Sequence, residues 1–384
     1  PALTQARDLF AECIALHHAM LLPARKAIID LLALSHAIVG QVRSDNSLER
    51  FAFDAVTAID TPTFQAAERL VDDDLPEVLD DAKVTQLAVD GACDGDGYGL
   101  AQPGWLDDAT YPHRARRFLR RFGVTRELLR SRLATATDRR TMALAEFDRW
   151  CPATLRCELA NQLAMAQAGA ELAEVHGPIM HVRYVHELRS LLLAHGRRLA
   201  DRGELGAPHE FFHARLIEIE RGIAAPHLLH ERRASYLRHV RGPLPATCRR
   251  SQTLAGQALP SGLASRLDAM AAPTGCQAGA RSWQGTGAAP GGGQGPIKVL
   301  RAQADLDHLE PGDVALVPDA GPAWGWLALA GVPLIIEHGG VLGHAPALAR
   351  ECGVGCVVGG SGVSGLVVEG GIVTVSGDTG EVTW

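Results

Sequence analysis

Apolar residues recur at three- and four-residue intervals through the first two-thirds of the chain. Leu9, Cys13, Leu16 and Met20 form one stripe, and Ile28, Leu31, Leu32, Ser35 and Ile38 continue it. Leu155, Leu159 and Leu163 form a third; Val182, Val185, Leu188, Leu192 and Leu199 form a fourth. Each spacing predicts an amphipathic helix. The last of these helices should end at Gly203, behind Arg197, Arg198 and Arg202, because a cationic final turn with glycine beyond it stops a helix. Pro208 then suits the first turn of the next helix. A polar, glycine-rich loop at 90–105 interrupts the pattern. Residues 1–248 therefore predict a mainly helical domain.

The pattern changes from Arg249 onward. Gly, Ala, Ser, Pro and Gln crowd the segment that follows, which predicts a flexible linker over 249–282. Beyond it, short β-branched runs predict strands at Pro296–Leu300, Asp313–Val317, Pro333–Ile336, Gly365–Val368 and Ile372–Val375. Helical pieces at Ala323–Leu329 and His344–Cys352 separate some of them. The fold class expected is multidomain, α followed by α/β, with the second domain over 283–384.

The chain has 384 residues, 47% of them apolar and 21% charged, as in ordinary globular proteins. Its formal net charge of −7, read with no basic cluster, argues against nucleic acid or an anionic membrane as partner. The longest apolar run, near Ala323–Ile336, is too short to span a bilayer and is broken by Gly325, Gly331 and Pro333. Eight cysteines lie scattered without paired short spacing, which fits reduced thiols. No signal peptide is visible at the N-terminus, so a cytoplasmic location is expected.

The chemistry concentrates in Glu337-His338-Gly339-Gly340-Val341-Leu342-Gly343-His344. A histidine behind a glycine pair, where a strand hands over to a helix, suits a phosphoryl-accepting nucleophile. An unperturbed imidazole, with a pKa near ~6.5, is largely neutral at cytoplasmic pH. Paired glycines let phosphate approach the backbone, and first-turn amides of the following helix can receive its charge. Arg350 lies six residues on, about 240° around the helix, and is expected to be structural or docking rather than catalytic.

These residues resemble the phosphohistidine signature of the PEP-utilising enzyme family, whose swivelling domain occurs in pyruvate phosphate dikinase, phosphoenolpyruvate synthase and rifampin phosphotransferase. The resemblance runs from Trp283 to Trp384. It includes a turn at Gly285–Gly291, Leu309–Val314, a loop at Gly321–Trp324 and a final turn at Gly377–Gly380. It implies a swivelling β/β/α domain with His344 as nucleophile, Gly339 and Gly340 shaping the phosphate turn, and Glu337 orienting the ring or ending a strand. Gly343 stands where the family has Ser or Thr, and Ile336 where it has Thr. Each missing hydroxyl removes a charge-assisted hydrogen bond worth about 1.5–3 kcal/mol. Pro346 and Gly355 are further departures.

The helical part resembles the acceptor-binding domain of rifampin-phosphotransferase-like proteins more loosely. The matching residues are Leu188-Arg189, Gly196–Ala200, Arg202-Gly203 and Pro208–Phe212, with Glu210, Phe212, Leu216 and Glu218 at the pattern's acidic, aromatic, apolar and acidic positions. Gly97–Gly99 through Trp105 is a worn glycine-rich loop. The family's ATP-binding domain is absent. The resemblance thus implies a phosphotransferase component that shuttles phosphate from an ATP or PEP site, with ATP and Mg2+ on a separate ATP-binding subunit, to a small-molecule acceptor.

Two alternatives stay open. One is a binding or regulatory homologue whose shuttle has decayed. The other is a zinc metallopeptidase through His209-Glu210-Phe211-Phe212-His213, whose histidines would share one face of an α-helix. No third ligand follows at Leu216 or Ile219, and Glu231 has unconvincing spacing. Asp94-Gly95-Asp96-Gly97 begins like a calcium loop, but Trp105 occupies the place of the bidentate Glu.

Overall fold

A computed structural model of the chain describes residues 2–39, 47–72, 80, 82, 86, 104–108, 110–178, 184–221, 225–241, 253–254, 257–258, 281–360 and 362–384. The expected glycine-rich and calcium-like loops lie outside these residues except for Gly104 and Trp105. So does most of the expected linker. The chain divides into two compact units, Pro1–Arg238 and His239–Trp384.

The first unit is helical. Its elements are α1 (Ala2–Val39), α2 (Ser47–Val56), α3 (Pro62–Leu70), α4 (Thr110–Arg121), α5 (Arg126–Trp150), α6 (Arg156–Pro178), α7 (His186–Asp201), α8 (Leu216–Arg221) and α9 (Pro226–Arg241). The first two predicted stripes belong to the single long helix α1. Its buried residues include Ala6, Leu21, Ala24, Ala27, Ile28 and Leu31, whereas Leu9, Cys13, Leu16 and Met20 are only half-buried. Alanine and glycine allow α1 and α6 to cross closely: a β-carbon on Gly169 would lie 2.8 Å from the Ala24 carbonyl oxygen.

α7 ends as its sequence predicts. Gly203 adopts φ +74°, its N–H donates to Ala200 O at 2.9 Å, and Glu204 N–H donates to Leu199 O at 2.9 Å. That pair of bonds satisfies carbonyls the helix would otherwise leave open. Leu188, Leu192 and Leu199 pack with Ala6, Leu205, Phe211 and Leu229 in one core.

Two expectations change here. Pro208 opens a 3-10 turn over Pro208–His213 rather than an α-helix. The chain also has a local basic cluster, since α4 holds Arg114, Arg116, Arg117, Arg120 and Arg121 and no acid. Overall charge hid it. No described helix is long and apolar enough to cross a membrane.

The second unit contains a small hairpin, β1 (Thr253–Leu254) with β2 (Gln257–Ala258), and an eight-stranded mixed sheet. Its strands are β3 (Ser282–Gln284), β4 (Thr286–Ala289), β5 (Gly292–Val299), β6 (Val314–Asp319), β7 (Leu334–His338), β8 (Cys356–Val358), β9 (Ile372–Ser376) and β10 (Glu381–Thr383). The order is β3-β10-β9-β5-β6-β7-β8-β4, with β5 to β8 parallel and the rest antiparallel. α10 (Gly325–Ala330) joins β6 to β7, and α11 (His344–Cys352) joins β7 to β8.

Side chains alternate across the sheet. Trp283, Ile297, Val314, Leu316, Ile335, Val357, Val373, Val375 and Val382 form a core on one face. The intervening Ala315, Val317, Leu334 and Ile336 are equally buried on the other, as parallel strands covered on both faces require.

Gly365–Val368 is not a strand. Val363–Gly365 is a 3-10 turn, and the chain then folds back, with Gly370 N–H donating to Ile297 O and Glu369 accepting Val299 N–H. Val367 packs under the core while Val368 stays exposed. The segment read as a turn at Gly285–Gly291 contains β4, which pairs with β8 through a bulge between Gly287 and Ala289.

In the helical unit, Glu218 receives both terminal nitrogens of Arg232, at 2.6 and 2.8 Å, and the Arg215 N–H at 2.7 Å. Chiefly through the Arg232 bonds, its carboxyl is held down at about 2, against 4.5 ordinarily. A depressed carboxylate stabilises the fold above the unfolded-state value, and the contribution disappears as pH falls through the folded-state value. Thermal melts of wild type and Glu218→Gln should therefore differ most at neutral pH. The gap should shrink from about pH 4.5 downward and be nearly gone near pH 2.

Candidate functional site

Three parallel strands, β6, β7 and β8, end at the same edge of the sheet, where open α/β sheets place their ligand sites. The connecting segments begin there: Ala320–Trp324 after β6, Gly339–Gly343 after β7 and Gly359-Gly360 after β8. β6 and β7 run in register to their last residues, Asp319 opposite His338. The sequence fixes this by matching Val-Ala-Leu-Val against Leu-Ile-Ile.

His344 is the first residue of α11 and is half-buried. Its ring edge faces the start of α10. A β-carbon on Gly325 would lie 3.7 Å from both its Cδ2 and its Nε2. Gly339 and Gly340 are exposed, and Gly343 N–H closes a turn onto Gly340 O at 2.8 Å. Gly339 adopts φ +133°, a conformation that side chains disfavour.

The first-turn amides of α11 are less open than the sequence suggests. Ala345 N–H donates to Ala320 O at 3.2 Å, and Pro346 has no N–H to offer. Gly343, at the N-cap position, supplies no side-chain cap. The Ala320 carbonyl, from the end of β6, takes that place.

Glu337 points away from a role on the imidazole. Its carboxylate accepts Ser364 N–H at 3.0 Å and so pins the 3-10 turn that follows β8. By alternation along β7 it shares the face of Ile335, opposite His338. Asp319 accepts Gly321 N–H at 2.8 Å, shaping the turn before Pro322.

Arg350 is 7% exposed and donates through Nη1 to Ala288 O at 2.9 Å and to Val341 O at 2.7 Å. One cation thus ties α11 to β4 and to the loop before His344. Cys356 is buried beside it, and burial pushes that thiol up to about 12, which removes it from thiolate chemistry.

The helical motifs fall into place separately. Arg189 is buried, 3.3 Å from Asp107 and stacked 4.9 Å over the Phe212 ring. Glu210 accepts Gly206 N–H at 3.2 Å. The metallopeptidase reading fails on geometry. On a 3-10 turn, residues four apart stand about 120° around the axis, against about 40° on an α-helix. His213 packs on Tyr236, ring centroids 5.6 Å apart, and burial lowers its pKa. Among the described residues, no three His, Cys, Asp or Glu side chains are grouped to hold a metal.

Residues 309–380 match the family model of the PEP-utilising enzyme mobile domain. Rv2047c of Mycobacterium tuberculosis, an uncharacterized protein, is 32% identical over 203 residues, covering 52% of this chain and 22% of its own. That stretch is longer than the C-terminal unit and so reaches into the helical one. The uncharacterized phosphotransferase YvkC of Bacillus subtilis is 33% identical over 99 residues, covering 26% of this chain and 12% of its own. Phosphoenolpyruvate synthase of Escherichia coli is 36% identical over 93 residues, covering 23% and 12%. The chain therefore spans about a fifth or less of these relatives' lengths. The resemblance read in the sequence is shown within the C-terminal unit, over residues 309–380, and two of these relatives are named as phosphoryl-transfer enzymes.

Replacing Arg350 tests how this loop is held. Arg350→Leu leaves two buried carbonyls without a donor, and should lower unfolding stability by about 3 kcal/mol in urea titrations. An unchanged midpoint would show that the loop does not depend on that cation.

Proposed function

We propose that His344 carries a phosphoryl group, as one component of a PEP-utilising-type phosphotransferase. The observation that carries this reading is the placement of a half-buried imidazole on the first turn of α11. It stands at the carboxyl edge of three parallel strands, between an exposed glycine pair and the start of α10. The donor is ATP or PEP, with nucleotide and Mg2+ held by a separate ATP-binding subunit. The recipient is a small molecule, and the compartment is the cytoplasm.

A ring nitrogen's lone pair attacks phosphorus, and the donor's P–O bond breaks with its electron pair on the leaving oxygen. Later the recipient's oxygen attacks, the P–N bond breaks, and that pair returns to the imidazole. The covalent intermediate splits one transfer into two easier ones. Gly339 and Gly340 shape the exposed turn for phosphate. Arg350 and Glu337 hold the scaffold and do not touch the reacting atoms.

A second reading, a binding or regulatory homologue with a decayed shuttle, is favoured by one observation: the α11 amides are partly closed by Ala320 O and Pro346.

Phosphoramidate, a small donor that needs no partner subunit, separates the two. After brief treatment, mass spectrometry should find His344 phosphorylated ahead of the other histidines. The label should be acid-labile, alkali-stable and lost in His344→Ala. Labelled ATP or PEP with a candidate donor subunit should give the same product. Phosphoramidate label spread evenly over the histidines, unaffected by His344→Ala, would favour the decayed homologue.

A further inference from the structure

We propose that Ala320 is the positioning residue for His344, and that Ala320 and Gly343 form one size-matched pair. This inference rests on the phosphoryl-carrier reading above. The backbone turns sharply after β6, and this brings Ala320 against the His344 loop at three points. Its methyl fills the space that a side chain at Gly339 would need, where a β-carbon would stand 2.6 Å away. The same methyl blocks Gly343, where a β-carbon would stand 2.5 Å away. Its carbonyl accepts the Ala345 N–H at 3.2 Å.

A contact of 2.5 Å between β-carbons is not tolerated, so glycine at 343 follows from Ala320; at 339 the methyl adds to a φ of +133° that by itself favours glycine. A helix ordinarily caps itself with Ser, Thr, Asp or Asn at the N-cap position. Here that position is Gly343, and a neighbouring strand end supplies the cap through its backbone instead. The methyl sets the height of the loop, and the carbonyl sets the start of α11. Together they fix the residue between them, His344, with its Nε2 edge toward Gly325. Ala320 touches no reacting atom and acts only through this placement.

The pair predicts a pattern that independent sites would not give. Gly343→Ser alone introduces the clash, and Ala320→Gly alone empties the keyed space. Combining them removes the 2.5 Å methyl contact and leaves the added β-carbon 3.1 Å from Gly340 O and 3.3 Å from Ala320 O. Ala320→Ser keeps the β-carbon and the carbonyl.

The test measures phosphoramidate labelling at His344 in the intact chain, relative to its other histidines as internal standards. Thermal melting confirms that each variant is folded. Ala320→Gly and Gly343→Ser should each slow labelling at His344 several-fold, and Ala320→Ser should stay near wild type. The double variant should label at least about threefold faster than Gly343→Ser, the coupling expected of residues in contact. An Ala320→Gly protein as fast as wild type, or a double variant no better than Gly343→Ser, overturns the proposal. If wild type itself shows no preference for His344, the carrier reading fails instead. Hydrogen exchange at Ala345 N–H then still reports the pair. Its protection should fall in Gly343→Ser and recover in the double variant, and additive losses would dismiss the coupling.

Discussion

The placement of His344 depends on a buried cation. Arg350 sits nearly two turns further along α11, on a different face, and spends its guanidinium on two carbonyls, Ala288 O and Val341 O. A buried charge is tolerated only where it is hydrogen-bonded, so these bonds are obligatory once Arg350 is inside. They also choose what is joined. Ala288 belongs to β4, at the edge of the sheet, and Val341 to the loop that leads into His344. One side chain therefore joins the helix, the loop and the edge strand. A reactive group held this way keeps its orientation while its immediate neighbours remain exposed, which a loop alone could not provide.

Around that anchor the site is built almost wholly from backbone and small residues. Gly321, Gly325, Gly339, Gly340, Gly343 and Ala320 leave few side chains at the mouth. Two polar groups act on the backbone here. The helix cap comes from the Ala320 carbonyl, and Glu337, the one nearby carboxylate in the signature, stabilises the turn at Ser364. Both contacts hold the surrounding turns in place. The loop before His344 is thus held chiefly through its backbone.

Local patterns made much of this legible in the sequence. The apolar runs at Val314–Val317 and Leu334–Ile336 have nothing to confuse with a helix, and α11 begins at His344 because glycines precede it. The end of α7 could be read from Gly203 and its arginines. What failed depended on distant partners. Val367 and Val368 look like a strand, but the chain there is tied to β5 by Glu369 and Gly370, seventy residues from their partners in sequence. His209 and His213 look like metal ligands only if the helix is α, and the 3-10 turn that Pro208 opens is decided by packing. Gly339 reads as part of a phosphate turn and Gly343 as a lost hydroxyl. Their second cause, the Ala320 methyl, could not be seen without the β6–β7 register.

That register also bears on why the departures from the family pattern occur together. If each hydroxyl had been lost separately, the remaining loop would have been left with cavities or unsatisfied amides. Instead Gly343 is filled by Ala320, and the Ala345 amide is satisfied by the same residue. Pro346 removes a further N–H at a position where a helix's first turn tolerates proline. The Gly343 and Ala345 amides both have acceptors within the loop and the end of β6. The packing around His344 thus acts in two directions: it orders the ring against Gly325, and it leaves fewer first-turn amides of α11 open to an anion.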